Sequence, residues 1–260
     1  MEWLVLLRCF GEGLAHGMGF MFAVLLSPCF SESPVRLGEI DMRISPCRFA
    51  LGLASWAVVI FFLMAAILYT LAESAHAQSI PSRAYQYRST LIRCARAEWG
   101  LNAPVATFAA QLHQESLWLA NAKSPAGAQG LAQFMPATAH WLPEVAPQVG
   151  NPSPFNPGWA LRALVAYDLW LWQRIESATP CEHMAMTLSA YNGGLGWLRK
   201  DKKKAQRIGL DPARWWNQVE AVNAGRAAWA IRENREYPRR ILLVLEPMYA
   251  AAGWGKGVCN

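Results

Sequence analysis

Along the C-terminal two-thirds of the chain, apolar residues return every three or four positions, the period of helices and not of half-buried strands. The pattern predicts helices over 85–99, 104–118, 136–141, 159–176, 182–191, 195–204, 212–219, 221–232 and 236–252. Turn and stop signals separate them at Gly100, 127–130, 143–158, Pro180, Gly193-Gly194 and Gly209. The fold class expected is all-α, with room for one small hairpin around 127–134. One helix carries an informative exception. Leu101, Val105, Phe108, Leu112, Glu115 and Leu119 follow at steps of three and four, so a carboxylic acid occupies the buried stripe. Desolvation there disfavours the ionised form and raises the pKa, as a proton donor near neutral pH requires. A core-edge glutamate paired with an arginine, or capping a helix, gives the same pattern.

The front of the chain is patterned differently. From Phe49 to Leu71 a nearly unbroken apolar run of 23 residues follows Arg43 and Arg48, and Ala75-His76-Ala77 precedes Gln78. A basic stretch, an apolar core and a small-x-small site make an export signal. The run is also long enough to span a bilayer, which takes about 20 residues. Cleavage after Ala77 and retention in the bacterial inner membrane are both open. Either route carries the remainder into the periplasm, with the arginines on the cytoplasmic side. Residues 14–26 are too short and Gly-rich for a second span, while Met42 opens a well-formed signal. The organisation expected is therefore 1–41 as an upstream extension, 42–77 as signal or anchor, and 78–260 as the functional domain.

Composition adds a partner class. Residues 78–260 hold 20 Lys and Arg against 12 Asp and Glu, an excess that favours nucleic acid, anionic lipid or an acidic cell-wall polymer. Export removes nucleic acid from that set. The basic cluster at 199–204 reads as a solvated helix end. Cys94, Cys181 and Cys259 follow the signal, in a compartment where disulfides persist. Three cysteines allow one bridge, and Cys94–Cys181 is preferred because both flank helices of the body while Cys259 lies in the tail. Their spacing fits neither a zinc site nor a redox pair, so no metal and no cofactor is expected.

Four segments stand in order along the helical part: Glu115-Ser116; Gly127-Ala128-Gln129-Gly130-Leu131-Ala132-Gln133-Phe134-Met135-Pro136; Ala190-Tyr191-Asn192-Gly193-Gly194; and Glu236-Tyr237-Pro238. Together they resemble the motifs of lytic transglycosylases with a soluble-lytic-transglycosylase catalytic domain, whose fold is similar to goose-type lysozyme. Phage and prophage endolysins share the pattern. The resemblance covers about residues 85–249 and implies peptidoglycan glycan strands as partner. It implies Glu115 as the sole catalytic acid, with Ser116, Gln133, Tyr191, Asn192 and Tyr237 binding substrate. Ser116 would hydrogen-bond near the reacting sugar or the carboxyl, and Gln133 would offer a donor and an acceptor to an amide-rich sugar. Gly127 and Gly130 would adopt positive φ and let backbone approach the acid. Tyr191 would donate to Glu115 or to an N-acetyl group, Asn192 would fix the turn into Gly193-Gly194, and Tyr237 would line the site. Ala132 stands where the family usually carries Met, which makes one wall smaller. Trp118, Trp141, Trp215 and Trp216 are candidates to stack on sugar rings.

Ordinary glycosidases set two carboxyl groups across the scissile bond. No second carboxylate is expected to join Glu115, since Asp168 falls in mid-helix and Glu144 in the Pro-rich loop. The resemblance implies that the substrate supplies its own nucleophile and that a 1,6-anhydromuramoyl end forms. A muramidase in which Asp168 or Glu144 assists a water, and a non-catalytic glycan-binding envelope component, remain as alternatives.

Overall fold

Two helices begin in the same way and show how the chain is punctuated. Asn156 accepts from Trp159 N at 3.1 Å ahead of Pro157, and Thr179 accepts from Glu182 N at 3.3 Å ahead of Pro180. A polar cap followed by proline satisfies an orphan amide and presets the first turn. The structure is a computed structural model that describes residues 79–259 together with Ile60, Phe61 and Met64. The upstream extension and the signal or anchor expected at 1–77 fall almost wholly outside the described residues. Among those residues no helix is long and apolar enough to cross a membrane.

The helices are α1 (Arg88–Trp99), α2 (Val105–Ser116), α3 (Pro136–Val145), α4 (Pro157–Trp172), α5 (Pro180–Gly193), α6 (Leu195–Arg207), α7 (Ala228–Arg240) and α8 (Glu246–Ala251). Short 3₁₀ turns precede α1 and follow α3 and α6, and a π-helical turn, Ile241–Leu245, joins α7 to α8. No strand forms among the described residues. Two isolated antiparallel bridges, Lys123 to Gln129 and Gln129 to Phe134, stand where the small hairpin was expected. The all-α expectation is met.

α2 runs through the middle of this body. Every residue from Val105 to His113 is buried, so it is enclosed on all faces instead of one. It packs against α1 on one side and against the π-turn and α8 on another, while α5 packs on α4, α6 and α7. Leu101 and Leu119, placed on its buried stripe by periodicity, lie outside the helix and are exposed.

The second half departs most from the pattern. Residues 212–218 are turns and 222–227 are irregular where two helices were expected, and the break before Glu236 is absent, because α7 runs through to Arg240. Buried Asp201 is the reason. It takes Arg226, Arg235 Nη2 at 2.8 Å and Ala224 N at 2.8 Å, while Arg235 also binds Val222 O at 2.6 Å and Glu220 O at 2.8 Å. These bonds satisfy the backbone of 219–226 without helix, so side-chain partners replace the local ladder. Pro143 sits inside a helix that the pattern ended at 141.

The disulfide is Cys181–Cys259, and Cys94 is free, which corrects the pairing preferred from sequence. The C-terminal tail folds back over the body. Cys259 N donates to buried Glu246 Oε1 at 3.0 Å, and this brings the tail cysteine to the start of α5.

Candidate active site

Glu115 occupies the last turn of α2, and the chain leaves that helix through two consecutive left-handed residues, Leu117 (φ 52°) and Trp118 (φ 64°). Non-glycine residues adopt this region only when their surroundings hold them there. Here Trp118 is buried, and its Nε1 donates to Tyr249 Oη at 2.6 Å, which also pairs with His113 Nδ1 at 3.0 Å. Ser116 donates to Leu131 O at 2.8 Å, tying the helix end to the loop that follows. It is not among the residues that line the cavity, and its hydroxyl ties down the loop beneath the site.

That loop closes on itself. Gly127 (φ 94°) and Gly130 (φ 73°) are left-handed as expected, but the close approach at Gly130 is not to the acid. A Cβ there would stand 1.8 Å from Pro154 O, so Gly130 lets the loop seat against the segment before α4. Gln133 (φ 47°) donates its side-chain amide to Gly130 O at 2.8 Å, so the group it can offer a ligand is the amide oxygen.

Two tyrosines complete the floor in swapped roles. Tyr191, on α5, donates to Ala132 O at 2.7 Å, whereas Tyr237, on α7, donates to Glu115 Oε1. The late tyrosine therefore touches the acid, and the earlier one holds the loop. Asn192 does not fix a turn. It lies within α5, accepts from Asn234 Nδ2 at 3.0 Å, and donates to Glu233 Oε1 at 3.4 Å. Asn234 is itself buried against Ser189, and a Cβ on Gly193 would stand 2.7 Å from its Nδ2. Gly193 is thus required by helix packing, and only Gly194 (φ 92°) by backbone conformation.

Glu115, Gln133, Tyr191, Asn192 and Tyr237 all line one cavity of about 570 Å³, with Phe134, Tyr167 and Arg240 in its walls. Desolvation lifts the Glu115 pKa to about 8 and outweighs the Tyr237 hydrogen bond, which favours the carboxylate; the charge of Glu233 adds to the rise. At neutral pH the acid therefore holds its proton. Both tyrosines are held well above their usual range by burial first and by the Glu115 charge second, so both remain donors.

The remaining carboxylates divide sharply. Asp168 is buried, with Gln111 Nε2 at 3.4 Å from one oxygen and no partner on the other, and burial pushes its pKa far above the carboxylate range. Glu144 is exposed on α3 and does not line the cavity. Two carboxylates that periodicity did not single out do line it: Glu233 and Glu236, both exposed. The available signal was their position four and one residues before Tyr237 on a single helix face. None of the four tryptophans considered as sugar platforms lines this cavity; Trp118 and Trp215 are fully buried core. Among the described residues no three His, Cys, Asp or Glu gather to hold a metal.

Residues 92–211 match the family model for the transglycosylase SLT domain, a span holding Glu115, the Gly-rich loop and the Tyr191-Asn192 segment. Over that span the chain is similar to SLT domains. Its curated relatives include the membrane-bound lytic murein transglycosylase F of Shewanella pealeana, 33% identical over 109 residues, covering 42% of this chain and 21% of that protein. The namesake from Shewanella loihica is 29% identical over 139 residues, covering 53% and 27%. The chain thus spans about a quarter of the length of the curated relatives it matches. Among solved structures, the 70 kDa soluble lytic transglycosylase from Escherichia coli is similar at 23% identity and a TM-score of 0.46, over 65% of this chain and 25% of that one. Tyr237 and α7 lie beyond the span the family model matches.

Proposed function

We propose that the protein is a peptidoglycan lytic transglycosylase of the bacterial envelope, exported or anchored through the run from Phe49 to Leu71. The observation that carries this reading is Glu115, a protonated acid on the floor of a cavity that the SLT segments and Tyr237 enclose. The SLT match and the curated relatives named for murein cleavage support the substrate class.

The chemistry follows from one carboxyl group used twice. Glu115 gives its proton to the oxygen joining N-acetylmuramic acid to N-acetylglucosamine as the bond from that oxygen to C1 breaks. The Glu115 carboxylate then takes the proton of the muramoyl 6-hydroxyl as O6 bonds to C1. A new 4-hydroxyl and a 1,6-anhydro ring result, the acid is restored, and no water is consumed. Tyr237 holds the carboxylate oriented between the two transfers.

Glu233 favours a second reading, hydrolysis, because it is an exposed carboxylate in the same cavity and a partner for water activation. Digesting purified peptidoglycan with the full-length protein and weighing the sugar ends separates the two. Anhydro ends, resistant to borohydride and one water lighter, are expected from the parent and from Glu233→Gln alike. Reducible muramic acid ends that disappear in Glu233→Gln would replace transglycosylation by hydrolysis.

A further inference from the structure

A second cavity of about 390 Å³ opens beside the catalytic one, and Asn192 and Glu233 line both. The shared wall is α7. Trp229, Glu233, Tyr237 and Arg240 recur along it at steps of three and four, so they lie on one face of that helix. Trp229 lines the second cavity and Tyr237 the first. Eight residues of helix put them about 12 Å apart along its axis, further than a single pyranose ring reaches.

Trp229 is 71% exposed, a large apolar ring left in water in the first turn of a helix whose later residues touch the acid. Among the described residues it is the one exposed tryptophan, the others being buried or half-buried, and it stands beside the candidate cleft. Trp197, the other indole of the cavity, already faces cations, with Lys200 Nζ 4.3 Å and the Arg226 guanidinium 5.7 Å from its ring. The open stacking surface is therefore Trp229.

We propose that this cavity is an additional saccharide subsite, in which Trp229 stacks on a pyranose ring of the same glycan strand that Glu115 cleaves. The inference rests on the reading of the protein as a glycan-strand cleaver and extends it. An indole face suits the apolar C–H face of a sugar, and Asn192 and Glu233 supply polar groups for its hydroxyls. The stem peptides of peptidoglycan fit less well. Arg226, the only cation among the lining residues, is bound to Asp201, and Glu233 repels carboxylates. Trp229 lies outside residues 92–211, which match the SLT family model.

The test compares chitooligosaccharides of two to six units binding to full-length protein carrying Glu115→Gln, by calorimetry. Affinity should rise with chain length. Adding Trp229→Ala should remove roughly tenfold of that gain, the size expected for truncating a central tryptophan contact. Adding Trp229→Phe should restore most of it. On peptide-free glycan strands with Glu115 intact, Trp229→Ala should act through KM and not kcat. An unchanged length dependence in Trp229→Ala would overturn the subsite, as would an effect seen only on strands that carry stem peptides. If the parent leaves peptidoglycan uncut while the Trp229-dependent binding persists, the cleavage reading fails and the subsite stands.

Discussion

Glu115 combines two features that oppose each other, a desolvated carboxyl and a phenol hydroxyl donating to it. Desolvation wins; in the proposed mechanism that suits the donor of the first proton transfer, while Tyr237 would limit the cost of the carboxylate needed in the second. Glu115→Gln should lower turnover by about 10²–10⁴-fold, the range for general acid–base catalysis. Parent kcat/KM should fall above about pH 8, where Glu115 ionises. The same group makes folding pH-dependent. Its pKa is raised on folding, so the folded state holds an extra proton between the ordinary glutamate range and about pH 8, and stability falls as pH rises through that window. Glu115→Gln should consequently melt a few degrees above the parent at pH 9 and together with it at pH 4. Equal melting at both values would mean that the acid is not desolvated. Tyr237→Phe removes a donor to the carboxylate, so the alkaline limit of activity should move upward while kcat falls roughly tenfold, the worth of a hydrogen bond to a charged group. A pH profile that drops in height without moving would reduce Tyr237 to packing.

At the scale of elements, the site depends on how α5 and α7 meet. Gly193 lets Asn234 and Arg226 press against α5, and a Cβ there would stand 2.7 and 2.8 Å from their nitrogens. Gly193→Ala should destabilise by about 1–3 kcal/mol, the usual cost of overpacking. It should also weaken activity, because Asn192 and Tyr237 are positioned through the same contact; urea denaturation and turnover measure both. Sequence periodicity found α1 to α6 to within a few residues because each has a buried face or a capped start. It failed between Pro212 and Glu236. There the backbone is satisfied by Asp201 and Arg235, which are distant in sequence, so no local pattern announces the turns. It also divided α7 between 232 and 236, where the helix runs on unbroken to Arg240.

Across the whole molecule, the Cys181–Cys259 bridge joins the tail to α5 over a sequence separation of 78. Closing a loop of that length removes chain entropy from the unfolded state and so stabilises the fold by about 4 kcal/mol, less the effect of any structure retained on unfolding. Replacing both cysteines by serine should lower the melting temperature by several degrees while leaving the sugar ends released from peptidoglycan unchanged, which calorimetry and product analysis together would check. A melting temperature equal to the parent's would mean that the tail contributes nothing to stability.

The helical period and the motif order are local properties, written in neighbouring residues, and the sequence by itself determined them. So was Glu115, because an acid on an apolar stripe is visible at helical spacing. The tertiary structure alone decided which tyrosine touches that acid, since Tyr191 and Tyr237 are both aromatic donors and only the packing of α7 on α5 separates them. It decided the disulfide, because the tail's return depends on Glu246 and not on cysteine spacing. It also brought Glu233 and Glu236 to the cavity, where no second carboxylate was expected beside Glu115, and left Asp168 buried outside its lining. A carboxylate's role follows from its solvent and its neighbours, and in a helical body those neighbours come from other helices.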